Sequence, residues 1–196
     1  NDMAVYFKED ADGNVSLTRD ESMKDGDLHK TTVVVKVPNN VIAGDIVTVT
    51  INGTPHKTYK VTGRDSSGKI MLEDTSTHTS KTASDKNEIE IPGVEIIAGK
   101  TINVTTETTD ASGGKKAEAQ NHNTLEKLHE DMEITFKKDT NNDGILGSTE
   151  ATGATTIATI KLPSNFVLGD KLIVESHNED TPNNKTTKTY EIVKDN

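Results

Sequence analysis

Lys36-Val37-Pro38-Asn39-Asn40-Val41-Ile42-Ala43-Gly44-Asp45 aligns without a gap to Lys161-Leu162-Pro163-Ser164-Asn165-Phe166-Val167-Leu168-Gly169-Asp170. Two further pairs flank this match. Asp2-Met3-Ala4-Val5-Tyr6-Phe7-Lys8 resembles Asp131-Met132-Glu133-Ile134-Thr135-Phe136-Lys137, and Lys57-Thr58-Tyr59 recurs as Lys188-Thr189-Tyr190. The offsets of 129, 125 and 131 keep the order while loop lengths drift, which is the mark of an internal repeat. The unit begins at Met3 and begins again at Met132. The expected domains are 1–130 and 131–196, the second reaching only the midpoint of its unit. The chain starts at Asn1 with neither Met nor a signal-peptide pattern, so the expectation is a piece of a longer tandem array. Alternatively, the second module is short by nature, or a partner chain completes it.

Each repeated stretch reads as strand, proline, short apolar loop, Gly turn, strand. Pro38 has no N–H for a ladder and ends the strand predicted over 30–37. Alternation then gives strands over 4–7, 45–51, 57–61, 69–73, 88–91, 101–107 and 115–125, with one helical turn over 124–129 as the alternative. Asn52-Gly53 is a hairpin signal. In the second unit the strands fall at 133–136, 155–162, 170–175 and 188–193, with a polar loop over 178–185 that contains Pro182. A smaller echo links Val37-Pro38 and Ile42-Ala43-Gly44-Asp45 to Ile91-Pro92 and Ile97-Ala98-Gly99-Lys100. In an immunoglobulin-like sandwich the two connections that cross between the sheets stand at these places. Val41, Ile42, Val94 and Ile96 are then expected to plug the sandwich ends. The fold class is all-β, with tandem immunoglobulin-like Greek-key β-sandwiches and an incomplete second copy.

Composition fits a thin aliphatic core: of 196 residues, 31% are hydrophobic and 3% aromatic, without Trp. The formal charge of −10 argues against nucleic acid and anionic membrane surfaces, and suits divalent cations. No apolar run is long enough to span a bilayer, so direct membrane insertion is not expected. Cysteine is absent, so disulfides and thiolate metal sites are excluded.

The chemistry-bearing stretch is Asp139-Thr140-Asn141-Asn142-Asp143-Gly144-Ile145-Leu146-Gly147-Ser148-Thr149-Glu150. It has the spacing of a twelve-residue Ca²⁺ loop. Asp139, Asn141 and Asp143 offer side-chain oxygens, Ile145 its carbonyl, and Glu150 two closing oxygens, with Gly144 at the sharp turn. A strand pattern over 134–136 precedes it and a Gly- and Thr-rich stretch over 151–156 follows, in place of flanking helices, which favours a structural ion over a sensor. A solvated Asx-rich turn is the alternative.

A degenerate copy, Glu9-Asp10-Ala11-Asp12-Gly13-Asn14, keeps the Asp-Gly turn, with Asp20 or Glu21 as closing acid. Clustered carboxylates repel without a counter-ion. A cation held by Asp10, Asp12, Asn14, Glu21 and Asp131 would clamp the junction between units; a plain solvated turn is the alternative. Asp110 sits in Thr109-Asp110-Ala111-Ser112-Gly113-Gly114, where turn formation competes with a role as ligand. The six His residues are scattered without ligand spacing. No Ser/His/Asp arrangement, paired carboxylates or phosphate cradle is evident, so no enzyme is expected.

In order, the chain carries the Asp-Gly loop, Ile145-Leu146-Gly147-Ser148-Thr149-Glu150-Ala151-Thr152-Gly153, and Leu168-Gly169-Asp170 or Ala43-Gly44-Asp45 before a strand. Asn52-Gly53 with Lys57-Thr58-Tyr59, Ile91-Pro92-Gly93, Ala98-Gly99-Lys100 and Thr108-Thr109-Asp110-Ala111-Ser112-Gly113-Gly114 follow in the other copy. This order resembles the bacterial immunoglobulin-like extender repeats of giant adhesins exported by type I secretion (RTX adhesins), over nearly the whole chain. The resemblance implies extracellular spacer modules at the bacterial surface, stiffened by Ca²⁺ at loops and junctions. It also implies neighbouring repeats of the same chain as partners, and a host-cell or surface ligand bound elsewhere in the protein. Two other classes stay open: a module that binds sugar, peptide or ice, and an accessory sandwich of a secreted hydrolase. Scarce Trp and Tyr argue against a sugar platform, and no flat Thr array in fixed register is evident.

Overall fold

The computed structural model describes residues 2–129, 132–143, 149–150, 153, 155–178 and 181–193. The chain divides into two compact units, 1–126 and 127–196. Among the described residues it is all-β apart from one short helix and one 3₁₀ turn.

In the first unit the elements run β1 (Ala4–Phe7), β2 (Ser16–Leu17), α1 (Arg19–Ser22), a 3₁₀ turn (Met23–Asp25), β3 (Lys30–Lys36), β4 (Ile46–Ile51), β5 (Thr54–Arg64) and β6 (Ile70–Asp74). β7 (Ser80–Thr82), β8 (Glu88–Glu95), β9 (Thr101–Thr109) and β10 (Lys115–Leu125) complete it. One sheet has the order β1-β3-β8 and the other β2-β10-β9-β4-β5-β6-β7. Val5, Phe7, Val33, Val35, Ile89 and Ile91 from the first meet Val47, Val49, Val61, Leu72, Ile102 and Val104 from the second in one buried cluster. These residues alternate along their strands, so a period of two places one aliphatic row on the core side of each sheet. Two sheets over a shared core make a sandwich-like architecture.

The second unit contains β11 (Glu133–Phe136), β12 (Ala158–Lys161), β13 (Lys171–Asn178) and β14 (Thr181–Glu191). Its registers repeat those of the first unit as far as Val49 and Val174, beyond which Thr50 pairs with Pro55 across a bulge while Glu175 pairs with Thr187 without one. Ala4 pairs with Lys36 and Phe7 with Val33, as Glu133 pairs with Lys161 and Phe136 with Ala158. Ile46 pairs with Lys60 and Val49 with Lys57, as Lys171 pairs with Glu191 and Val174 with Lys188. The joining loop repeats as well. Gly44 N–H donates to Val61 O at 2.8 Å and Gly169 N–H to Ile192 O at 3.3 Å. Both glycines take positive φ, +99° and +87°, where a side chain would be strained.

Several expectations are corrected. β8 runs through Pro92 and does not end at Ile91, because β8 lies at the edge of its sheet, where a missing N–H costs no ladder bond. Residues 115–125 form strand β10 as expected, and the alternative helical turn over 124–129 does not form. Part of the expected polar loop over 178–185 is strand instead: β14 starts at Thr181, which pairs with Asn178, and the register shifts between that pair and Ser176 with Thr186; Thr-rich backbone pairs readily in an exposed ribbon. Val41, Val94 and Ile96 are buried as end plugs, whereas Ile42 is exposed, being the neighbour that points the other way. Burial separates the two units. Val5 is 6% exposed and its counterpart Ile134 59%; Tyr59 is 4% exposed and Tyr190 52%.

Candidate metal centre

The acidic loop of the second unit lies between β11 and β12. Its first five residues are wound by their own side chains. The Asp143 N–H is shared between Asp139 Oδ1 and Asn141 Oδ1, each at 3.2 Å, and Asn141 Nδ2 donates to Asp143 Oδ2 at 2.9 Å. Asn142 takes φ of +60°, the left-handed conformation that Asn tolerates. Asp139 is buried, and its N–H closes a turn on Phe136 O at 3.0 Å. Glu150 returns to the start of the loop, where Oε1 accepts from Thr140 N–H at 2.9 Å and Thr140 Oγ1 at 2.8 Å. Positions one, three and five of the motif are thus tied to each other, and position twelve is tied to position two. Gly144 and Ile145 lie outside the described residues.

The donor set suits a hard cation. It is oxygen-only, with three carboxylates and one amide, and Ca²⁺ takes six to eight such ligands. Binding requires the Asn141 amide to turn its oxygen inward and Glu150 to release Thr140. Among the described residues no group of three or more His, Cys, Asp or Glu side chains stands close enough to hold a metal.

The first copy is spent differently. Asp12 Oδ1 accepts the Asn14 N–H at 3.1 Å, Asn14 Nδ2 donates to Asp12 Oδ2 at 2.7 Å, and Asn14 Oδ1 accepts the Ser16 N–H at 2.8 Å. Glu21 closes a capping box on α1: its Oε2 accepts from Thr18 N–H at 3.1 Å, and Thr18 Oγ1 accepts from Glu21 N–H at 3.2 Å. Asp12 and Asn14 are brought together, while Glu21 serves the helix. Asp10 faces β10, where Asn123 Nδ2 donates to its Oδ2 at 2.7 Å. Its Oδ1 is buried without a hydrogen-bond partner. Asp131, and with it the clamp, lies outside the described residues. Asp110 forms its turn, with Oδ1 accepting Ser112 N–H at 2.8 Å and Gly114 N–H at 2.9 Å.

Three buried acids escaped the sequence reading as structural parts. Glu9 Oε2 accepts from Thr31 Oγ1 at 2.5 Å and from Thr32 N–H at 3.0 Å. Asp45 Oδ2 accepts from Lys116 Nζ at 2.6 Å; a bulge between Lys115 and Ala117 takes Lys116 out of the ladder. Asp74 is held by Lys57 Nζ at 2.7 Å, Ser76 Oγ at 2.6 Å and Ser76 N–H at 2.9 Å. Only Asp45 carried a signal, because Asp170 repeats it.

Among the described residues no helix is long and apolar enough to cross a membrane. Compared with protein-family models, curated proteins and solved structures, the chain shows no significant match to any.

Proposed function

We propose that this chain is a run of non-catalytic, Ca²⁺-stabilised spacer modules from a bacterial cell-surface adhesin, which project a binding tip located elsewhere in the protein. Each module would be an immunoglobulin-like Greek-key sandwich. The strand order β1-β3-β8 against β10-β9-β4-β5 supports this topology, since it is the order such a Greek key gives. The observation that carries the reading is the repetition of register and loop hydrogen bonds in two units of one chain. A spacer needs a rigid unit that can be copied end to end, and position-for-position copying of the same turns supplies it.

Calcium would act by ordering acidic loops. Asp139, Asn141, Asp143, Glu150 and the Ile145 carbonyl would hold the ion in the second unit. In the first, the unpartnered Asp10 Oδ1 is the oxygen that gains most from a cation, because an unsatisfied buried acceptor costs about 1–3 kcal/mol. An ion bound only by the folded state adds about 2.7 kcal/mol at a concentration a hundred times its Kd.

Thermal melting in Ca²⁺ against EGTA, with Mg²⁺ as control, tests the reading. Melting temperature should rise in Ca²⁺ and not in Mg²⁺, and Asp143→Ala or Glu150→Ala should remove part of the rise. Identical melts in Ca²⁺ and EGTA would overturn it.

A further inference from the structure

In the second unit, the loop after Pro163 grips the chain that leads into β11. Asn165 Nδ2 donates to the Lys127 carbonyl at 2.8 Å, and Asn165 Oδ1 accepts from the His129 N–H at 3.0 Å. Ser164 Oγ stands 3.2 Å from His129 Nδ1. A carbonyl and the N–H two residues on leave the same edge of an extended chain, and a residue of a parallel neighbouring strand engages that pair. The Asn165 amide does the same with a side chain. It contacts main-chain groups, so it fits an extended segment of almost any sequence.

The first unit carries the same loop. Asn39-Asn40 take the places of Ser164-Asn165, and the Val41 N–H to Pro38 O bond matches Phe166 N–H to Pro163 O. Asn40 is exposed beside a surface cleft of about 450 Å³ lined by Asp2, Pro38, Asn39, Asn40, Lys116 and Ala117. Asp2, the counterpart of Asp131, accepts the Asn39 N–H at 3.2 Å and so fixes the chain at the mouth of this cleft. The Asn40 carbonyl receives Lys116 Nζ at 3.4 Å. Its side-chain amide makes no hydrogen bond among the described residues.

We propose that Asn40 is the socket for an extended main-chain segment entering the first unit, the linker of a preceding module. Lys127 and His129 stand five and three residues ahead of Met132, so the gripped groups lie five and three residues ahead of Met3. The inference rests on the modular part of the spacer reading and is independent of calcium.

Replacing Asn1 by Lys-Leu-His-Glu supplies that backbone. In this extended chain the introduced His N–H should exchange with solvent at least about tenfold more slowly than in a free peptide, and the Asn40 side-chain amide resonances should shift. Asn40→Ala should return the exchange to the free-peptide rate, whereas in the unextended chain the same substitution should leave the melting temperature unchanged. Free exchange of the introduced amide, or protection that survives Asn40→Ala, would overturn the socket. So would free exchange of the His129 N–H in the chain as it stands, since that grip is the template. Recording these rates in EGTA keeps the outcome separate from the calcium test.

Discussion

Asp45 Oδ2 accepts the Ile42 N–H at 2.9 Å in the first unit, and 125 residues later Asp170 Oδ2 accepts the Val167 N–H at the same distance. Both carboxylates close the same turn between the same two strands. Asp45 also receives Lys116 Nζ from β10, in a strand for which the second unit shows no counterpart among the described residues.

Asp45→Ala therefore removes a turn cap and strands a mostly buried ammonium. Its cost should be about 3 kcal/mol, near the lower end of the range for breaking a buried pair, because Lys116 keeps some solvent. Urea denaturation followed on the first unit measures it. A loss below about 1 kcal/mol would mean that the pair contributes little beyond the turn.

Equivalent core positions should respond unequally. Val5→Ala in β1 removes two buried methyl groups and should cost about 2 kcal/mol. Ile134→Ala in β11 truncates an exposed side chain and should stay within about 0.5 kcal/mol. Equal losses would show that the second unit buries Ile134 in solution.

The Lys57 ammonium, with the Ser76 hydroxyl and N–H, holds the Asp74 carboxyl well below the usual carboxylate range. A depressed folded-state value stabilises the protein above the unfolded value of about 4. That contribution is lost as pH falls through the folded-state value. Stability should thus drop below about pH 4, and Asp74→Asn should flatten that limb. Urea midpoints from pH 7 to pH 2 that fall in parallel for both proteins would refute the assignment.

Val15 takes φ of +61°, a left-handed conformation that a β-branched residue resists by about 1–2 kcal/mol. Val15→Asn should stabilise the first unit by about 1 kcal/mol, because Asn accepts this backbone and the side chain is partly exposed. Destabilisation on urea titration would show that Val15 packs more than it strains.

Where the sequence reading succeeded, the deciding interactions were short in range. The turn contacts of Pro38 and Asp45 span three residues, Val41 N–H to Pro38 O and Ile42 N–H to Asp45 Oδ2, so their spacing was enough to place the turn twice, whereas the bonds of Gly44 and Asp45 to β5 and of Asp45 to Lys116 came only with the fold. Glu21 reads as a closing cation ligand, and the structure gives it to a capping box with Thr18 instead, on a helix too short to announce itself by periodicity. Asp10 was not legible. Its partner Asn123 is 113 residues away, in a strand brought to it by the packing of β1 against β10 and the pairing of β2 with β10. Pro92 failed for a related reason, because whether a strand lies at an edge is a property of the sheet.

The sequence alone determined the repeat, the turns and the alternation of apolar residues, because each depends on covalent neighbours and on hydrogen bonds a few residues long. Tertiary structure decided which apolar row is buried and which donor each acid receives. Val5 and Ile134 occupy the same register position in the same pattern. β8, β9 and β10 help enclose the core around Val5, and no matching strands stand over Ile134 among the described residues. Burial needs a second surface, and a local pattern can prepare for that surface without supplying it.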